Sequence, residues 1–245
     1  MDLDAARAVV ERFGVGGLGT AEERALTDDE AVELLACFGI AVTEFRLVRG
    51  VDAVEKAADE LGYPIALKAV GDRWRHRTDL VGVRLDLGSA AAVRRAFADL
   101  EAVTGKDEFY VQRMSPKGVS CVLEVAEDPS FGSLLSFGIS GMATQLLDDR
   151  AFRVVPLTRE DAAALVRAPR AAPLLTGYRG SEPARLDALD DLCLRVGAMA
   201  EELPEVRSLA LDPVLASAEG AFVTGARVVL GPPPTRDDQG PRRLR

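Results

Sequence analysis

Lys68 closes an apolar run, Gly62–Lys68 (GYPIALK), and the chain's one histidine, His76, stands in the loop that follows it. That loop also carries Arg73, Arg75, Arg77 and Asp79, and a second run, Val81 to Leu87, alternates apolar and polar residues. The pattern predicts strand, charged loop, strand. A lysine on a buried strand facing an arginine-rich loop supplies the positive charge that a phosphate group needs.

Other chemistries fit less well. Gly14, Gly16 and Gly19 satisfy G-x-G-x-x-G, but a helical pattern precedes them, whereas a dinucleotide fingerprint needs a strand before it and a helix opening from it. The stretch reads as a flexible linker. Ser140 is no nucleophile elbow, because Met142 stands where G-x-S-x-G requires glycine. One histidine and three scattered cysteines, Cys37, Cys121 and Cys193, argue against zinc and for reduced, mostly buried thiols in a cytoplasmic protein. The net charge of −9 opposes a nucleic-acid partner. No apolar run approaches the ~20 residues of a membrane span, and MDLDAARAVVERFG does not read as a signal peptide.

The elements that must hold Lys68 and His76 are legible from periodicity. Residues 4–13 have helical spacing, and Thr27-Asp28-Asp29-Glu30 is a capping box ahead of Ala31, Leu34, Leu35 and Phe38. A strand follows at 40–48 and a helix from Asp52 to Gly62. After the strand–loop–strand, Ser89 caps a helix to about Leu100. Residues 109–114 form a strand leading into the connection Ser115–Gly118. Val119, Cys121, Leu123 and Val125 then alternate as a half-buried strand, 133–137 is another, and Gly138-Ile139-Ser140-Gly141 is a Gly-rich turn. Strand 152–157, a helix capped by Thr158, a long helix 186–203 and a hairpin of 208–215 with 221–230 complete the order. The Pro-rich, charged tail 231–245 is expected to be disordered. The expectation is an α+β chain of two lobes, residues 23–110 and 111–230, behind an N-terminal helix and linker at 1–22.

With these landmarks in order, the chain resembles the ATP-grasp domain of ADP-forming (NDP-forming) acyl-CoA synthetases, relatives of succinyl-CoA synthetase. Similar regions sit in multidomain GNAT-type protein acyltransferases. The resemblance covers about residues 23–230. It is carried by Phe38-Gly39-Ile40, GYP-x-x-LK at Gly62–Lys68, H-[KR]-[ST]-D at His76–Asp79 and VQ-x-M at Val111–Met114. It continues through DPSFG at Asp128–Gly132, FG-x-x-G at Phe137–Gly141, DD-x-AFR-x-x-PLT at Asp148–Thr158, LL-x-GYRG at Leu174–Gly180 and DPV at Asp212–Val214.

The resemblance implies ATP or ADP between two lobes. It puts Lys68 on the phosphates, a role for a compact cation that tolerates partial desolvation, and main chain around Gln112, Arg113 and Met114 on the adenine. Gly138 and Gly141 would let N–H groups approach phosphate, with Arg153 and Arg179 neutralising charge or shaping the loops. His76, with Asp79 in its motif, matches the histidine that accepts a phosphoryl group in the family. Imidazole suits that step because a neutral nitrogen is available near neutral pH.

The departures cluster at the metal. Ser120 stands where the family has Glu, Ser140 replaces a glycine, Gln145 replaces a Glu, and Gly225 replaces the Asp of a V-D-A-R strand. The family's E-L-D-I-N-P-L reads Ser208-Leu209-Ala210-Leu211-Asp212-Pro213-Val214, leaving Asp212 as the metal candidate there. Mg²⁺ takes hard oxygen ligands, typically one or two carboxylates plus phosphate and water. The sequence therefore reads as an ATP-grasp module with a degenerate metal site, nucleotide-binding or structural, within a larger acyl-CoA synthetase or acyltransferase. Its partners would be CoA-binding and ligase domains, or a GNAT domain, in the same or another chain. The alternative is an active subunit that moves phosphate between a histidine and ADP/ATP.

Overall fold

The structure is a computed structural model that describes residues 1–13, 23–71, 74, 81–141 and 146–233. The helices are α1 (Leu3–Phe13), α2 (Asp28–Cys37), α3 (Val51–Leu61), α4 (Ala90–Thr104), α5 (Arg159–Arg167) and α6 (Leu186–Glu202). The strands are β1 (Arg24–Ala25), β2 (Phe45–Arg49), β3 (Ile65–Ala69), β4 (Val83–Leu87), β5 (Glu108–Arg113), β6 (Val119–Asp128), β7 (Gly132–Ile139), β8 (Arg150–Val154), β9 (Val206–Ser217), β10 (Gly220–Val223) and β11 (Ala226–Leu230). Among the described residues every strand pairing is antiparallel, as expected of an α+β chain.

Local chemistry sets the helix starts. The capping box forms: Thr27 Oγ1 accepts from the Glu30 amide, and Glu30 Oε2 accepts from the Thr27 amide at 2.8 Å. Burial alone would raise the Glu30 pKa, but the Arg24 ion pair and the Thr27 amide outweigh it and hold the carboxyl below its ordinary value. Thr158 caps α5 in the same manner with Asp161, whereas at α4 the Ser89 hydroxyl alone accepts from the Ala92 amide.

Two sheets result. One runs β2-β5-β3-β4, and the other runs β1-β11-β9-β6-β7-β8 with β10 also on β9. The run 221–230 is not one hairpin arm. Long β9 pairs its first half with β11 and its second half with β10, so the returning chain breaks at Thr224-Gly225, opposite Asp212-Pro213. The entry to β6 is equally tight: a Cβ at Gly118 would lie 2.3 Å from the Ala216 carbonyl oxygen, so only glycine lets the connection cross there.

Each sheet buries one face under helices. Val54, Leu61, Ile65, Leu67, Trp74, Phe97, Phe109 and Val111 form the core of the small body. The other core joins Leu123, Val125, Leu135, Phe137, Leu165, Val196, Leu209 and Leu211 to Val9, Leu34, Leu35, Phe38 and Ile40. The buried side chains thus place residues 24–40, expected in the first lobe of 23–110, in the large core. Residues 3–13 and 24–40 pack with the large sheet, because α1 rests on α2, α2 on β11, and β1 pairs with β11. The four-stranded body begins only at β2.

Candidate functional site

Alternation decides which side chains face the site. In β3 and β5 the residues Ile65, Leu67, Phe109 and Val111 enter the helix-covered core, so Ala66, Lys68, Tyr110 and Gln112 project from the other face. Register sets Lys68 beside Tyr110 and Ala66 beside Gln112.

This face meets the large sheet at the Thr224 turn. Lys68 Nζ donates to the Thr224 carbonyl at 3.2 Å, and buried Gln112 donates through Nε2 to the same oxygen at 3.1 Å and to Thr43 O at 3.0 Å. Tyr110 Oη bonds the Asp28 carboxylate, and Thr43 Oγ1 lies 2.9 Å from Ser115 Oγ. A parallel bridge, Val42 to Val223, completes the junction. Lys68 and Gln112, 44 positions apart in sequence, are thereby brought to one atom by the β3–β5 pairing.

At the strand exit, the Arg113 amide donates to Glu44 O at 3.1 Å and the Met114 amide to Pro64 O at 3.2 Å. A base at this hinge would therefore meet groups other than these two N–H donors. Trp74 is buried against Gly82 and Ala69, and the Ala69 amide donates to Gly82 O, which fixes both ends of the segment holding the histidine loop. His76 and Asp79 themselves lie outside the described residues, as do Gln145 and the GVGGLG stretch.

On the large sheet the uncovered face is laid out in rows. One row is Arg227 (β11), Ala210 (β9), Glu124 (β6), Ser136 (β7) and Phe152 (β8). The next holds Val122, Gly138 and Arg150, with Asp212 at the irregularity where β9 leaves register with β6. Arg150 reaches back diagonally and its Nη1 pairs with Glu124 Oε2, each side chain about one-third exposed (30% and 33%).

The structure turns Arg153 away from this face. Its register partner Leu135 and its neighbour Ala151 are core residues, so alternation directs Arg153 to the helix side, where its charge helps lower the Asp161 pKa, after the larger effects of the Thr158 hydroxyl and amide. Arg150, an unspecified position of the DD-x-AFR motif, takes the open face instead. Its place one position before apolar Ala151, and so on the opposite face of a strand of period two, is the signal that finds it. Gly138 is likewise not an empty cradle: a Cβ there would lie 3.1 Å from Asp149 O and 3.2 Å from Arg150 Cγ, so the arginine stem fills that space. Gly141 follows at φ 143°, a conformation suited to glycine. Arg179 is exposed, its guanidinium 5.4 Å from the Tyr178 ring centroid.

Among the described residues, the neighbours of Asp212 bring few of the hard oxygen ligands that Mg²⁺ takes. Ser208 and Ala210 occupy the two preceding outward positions of β9, and Glu124 is engaged with Arg150. At Gly225 any Cβ would lie 2.2 Å from the Asp212 carbonyl oxygen, so this turn has no room for a carboxylate side chain. Among the described residues no three His, Cys, Asp or Glu groups converge as a metal site. The buried thiols add no chemistry: burial pushes Cys121 up to about 12 and Cys193 higher still, leaving both protonated. Among the described residues no helix is long and apolar enough to cross a membrane.

Comparison with known proteins agrees with this architecture. The sequence profile of the ATP-grasp domain matches residues 18–230. The chain is 34% identical to the acetate–CoA ligase (ADP-forming) I subunit beta of Pyrococcus furiosus, covering 92% of this chain and 97% of that protein. Against the longer acetate–CoA ligase (ADP-forming) I of Archaeoglobus fulgidus it is 35% identical but spans 30% of the length. The dinucleotide forming acetyl-coenzyme A synthetase 1 of Ca. Korarchaeum cryptofilum, in complex with coenzyme A and Ca-AMPCP, superposes with a TM-score of 0.77 at 30% identity, covering 93% of this chain and 98% of that one. Another structure of that protein, with coenzyme A and Mg-AMPPCP, has its phosphohistidine segment pointing towards the nucleotide binding site, and superposes with a TM-score of 0.72 at 31% identity over 93% of this chain and 98% of that one. Two sheets joined at the Thr224 turn, Lys68 on the inner face of one and matches over nearly the whole length agree: the chain belongs to the ATP-grasp domains of the ADP-forming acyl-CoA synthetases, of the acetate–CoA ligase beta-subunit type.

Proposed function

We propose that this chain is a nucleotide-binding ATP-grasp module whose metal shell is degenerate, serving a larger acyl-CoA synthetase. The observation that carries the reading is the convergence of Lys68 and Gln112 on the Thr224 carbonyl, at the junction where a nucleotide would lie between the sheets. Lys68 would contact phosphate and the 112–114 hinge the base. Ser208, Ala210 and the closed Gly225 turn support a site that has given up its Mg²⁺ ligands. The relatives named as beta subunits support a CoA-binding and ligase partner in another chain, and favour it over an acyltransferase. A cytoplasmic setting fits the reduced thiols. Calorimetric titration of the full chain with ADP and ATP tests the reading. Saturable binding that Lys68→Met weakens upholds it, and no heat with either nucleotide overturns it.

A second reading, an active phosphotransfer subunit, is favoured by near full-length similarity to proteins named as ligases. There the γ-phosphoryl P–O bond of ATP would break, a P–N bond to His76 would form, and ADP would leave. Acid-labile phosphate on His76 after incubation with ATP and Mg²⁺, absent in His76→Ala, would establish this reading over the first.

A further inference from the structure

The open face of the large sheet holds a guanidinium, that of Arg150, on the same face as Asp212. Arg150 comes from β8, at the sheet edge, yet it does not extend into solvent. Its stem crosses Gly138, with Cγ 3.2 Å from where a Cβ would stand, and its Nη1 ends on the Glu124 carboxylate of β6, two strands inward. Glu124 is flanked in its row by the small residues Ala210 and Ser136, and each partner of the ion pair keeps about a third of its side chain exposed (30% and 33%). Asp212 lies two residues along β9 from Ala210, about 7 Å at strand rise, so the pair is adjacent to the remaining carboxylate and to the turn that holds Lys68.

We infer that Arg150 supplies the positive charge that Mg²⁺ would otherwise bring, and that this chain binds ADP or ATP as the metal-free polyphosphate. This rests on the nucleotide-binding reading above and specifies its ligand. A guanidinium is planar, permanently charged and weakly hydrated, and its paired N–H groups match phosphate oxygens bidentately. A carboxylate beside it holds it in place while the site lacks nucleotide, as Glu124 does. An arriving polyphosphate carries more charge than one carboxylate and competes for the same N–H groups. Lys68 would meet the phosphates from the opposite sheet, giving two cations across the cleft without a metal. Glu124 then opposes binding, since its charge lies beside the incoming anion.

The test is titration of the full chain with a fluorescent ADP analogue, in EDTA and in excess Mg²⁺. The expected result is a Kd that agrees within about threefold between the two buffers. Arg150→Met, which keeps the stem over Gly138, is expected to weaken binding about tenfold or more in EDTA, the scale of one lost charge-assisted bond. Glu124→Gln is expected to tighten binding severalfold, an effect of opposite sign that a merely destabilised protein would not show. Binding present in Mg²⁺ but weakened tenfold or more in EDTA overturns this inference and leaves the nucleotide-binding module standing. No binding in either buffer overturns both. Unchanged affinity in a folded Arg150→Met variant overturns the role given to Arg150. Should that variant melt below the assay temperature, the EDTA comparison and Glu124→Gln still decide.

Discussion

Lys68 Nζ donates to the carbonyl oxygen of Thr224 at 3.2 Å, tethering a lysine of the small sheet to the turn between β10 and β11 of the large one. A phosphate group entering the cleft would compete with that carbonyl for the ammonium. Lys68→Met should lower the melting temperature by only a few degrees, because a net hydrogen bond is worth about 1 kcal/mol. Nucleotide affinity should fall about tenfold or more with loss of the charge. Thermal melts and calorimetry on one sample separate the two effects, and unchanged affinity would remove Lys68 from the site.

Gln112 is the buried amide at the same junction, 4% exposed and donating to Thr43 O and Thr224 O. Gln112→Leu would strip both carbonyls of this donor and should cost about 1–3 kcal/mol in urea denaturation. Gln112→Glu should cost more at neutral pH, since an ionised carboxylate only accepts and would face two carbonyl oxygens. Its native pKa would then be raised, so the variant should recover stability as pH falls and lose it as pH rises through that pKa. Equal loss at acid and neutral pH would contradict this.

A Cβ at Gly225 would lie 2.2 Å from the Asp212 carbonyl oxygen. Gly225→Asp is therefore expected to destabilise by about 2 kcal/mol or more through backbone displacement. It should not create Mg²⁺ affinity. A variant as stable as the parent that binds Mg²⁺ would show that the turn opens more readily than its packing indicates.

The cysteines set an alkaline limit. Burial pushes the Cys121 thiol from 9.0 up to about 12, raises Cys193 further, and raises half-exposed Cys37 through partial burial and then Asp2 and Glu33. Native Cys121 and Cys193 keep their protons where the unfolded chain loses them. Their contribution is therefore full below about pH 9 and is lost as pH rises towards 12. Urea midpoints measured from pH 8 to 11 should fall, and Cys121→Ala should flatten the slope. In the native state a thiol reagent should modify Cys37 first, with Cys121 and Cys193 reacting at the unfolding rate.

Much of this architecture is local in origin and therefore legible in sequence. The Thr27–Glu30 capping box, the Ser89 cap and the Val119–Val125 alternation are each set by residues a few positions apart. The ordered motifs from GYP-x-x-LK to DPV were enough to place the family. The structure differs where long-range packing decides. Helix α2 looks no different from one that would cover the small sheet, yet its stripe docks on β11 and joins the large core together with α1 and β1. The run 221–230 divides because β9 offers it two pairing edges in succession. Motif position alone favoured Arg153 as a nucleotide contact, and the sheet's alternation turned it to α5 while presenting Arg150.

Sequence by itself determined the family, the order of helices and strands, and the lysine on β3. Those are matters of residue type and short spacing. Tertiary structure alone decided that Lys68 and Gln112 share the Thr224 carbonyl, that Gly225 has no room for a side chain, and that Arg150 crosses Gly138 to Glu124. Each depends on strand register between segments far apart in the chain, and a shift of one residue would exchange the two faces of the sheet.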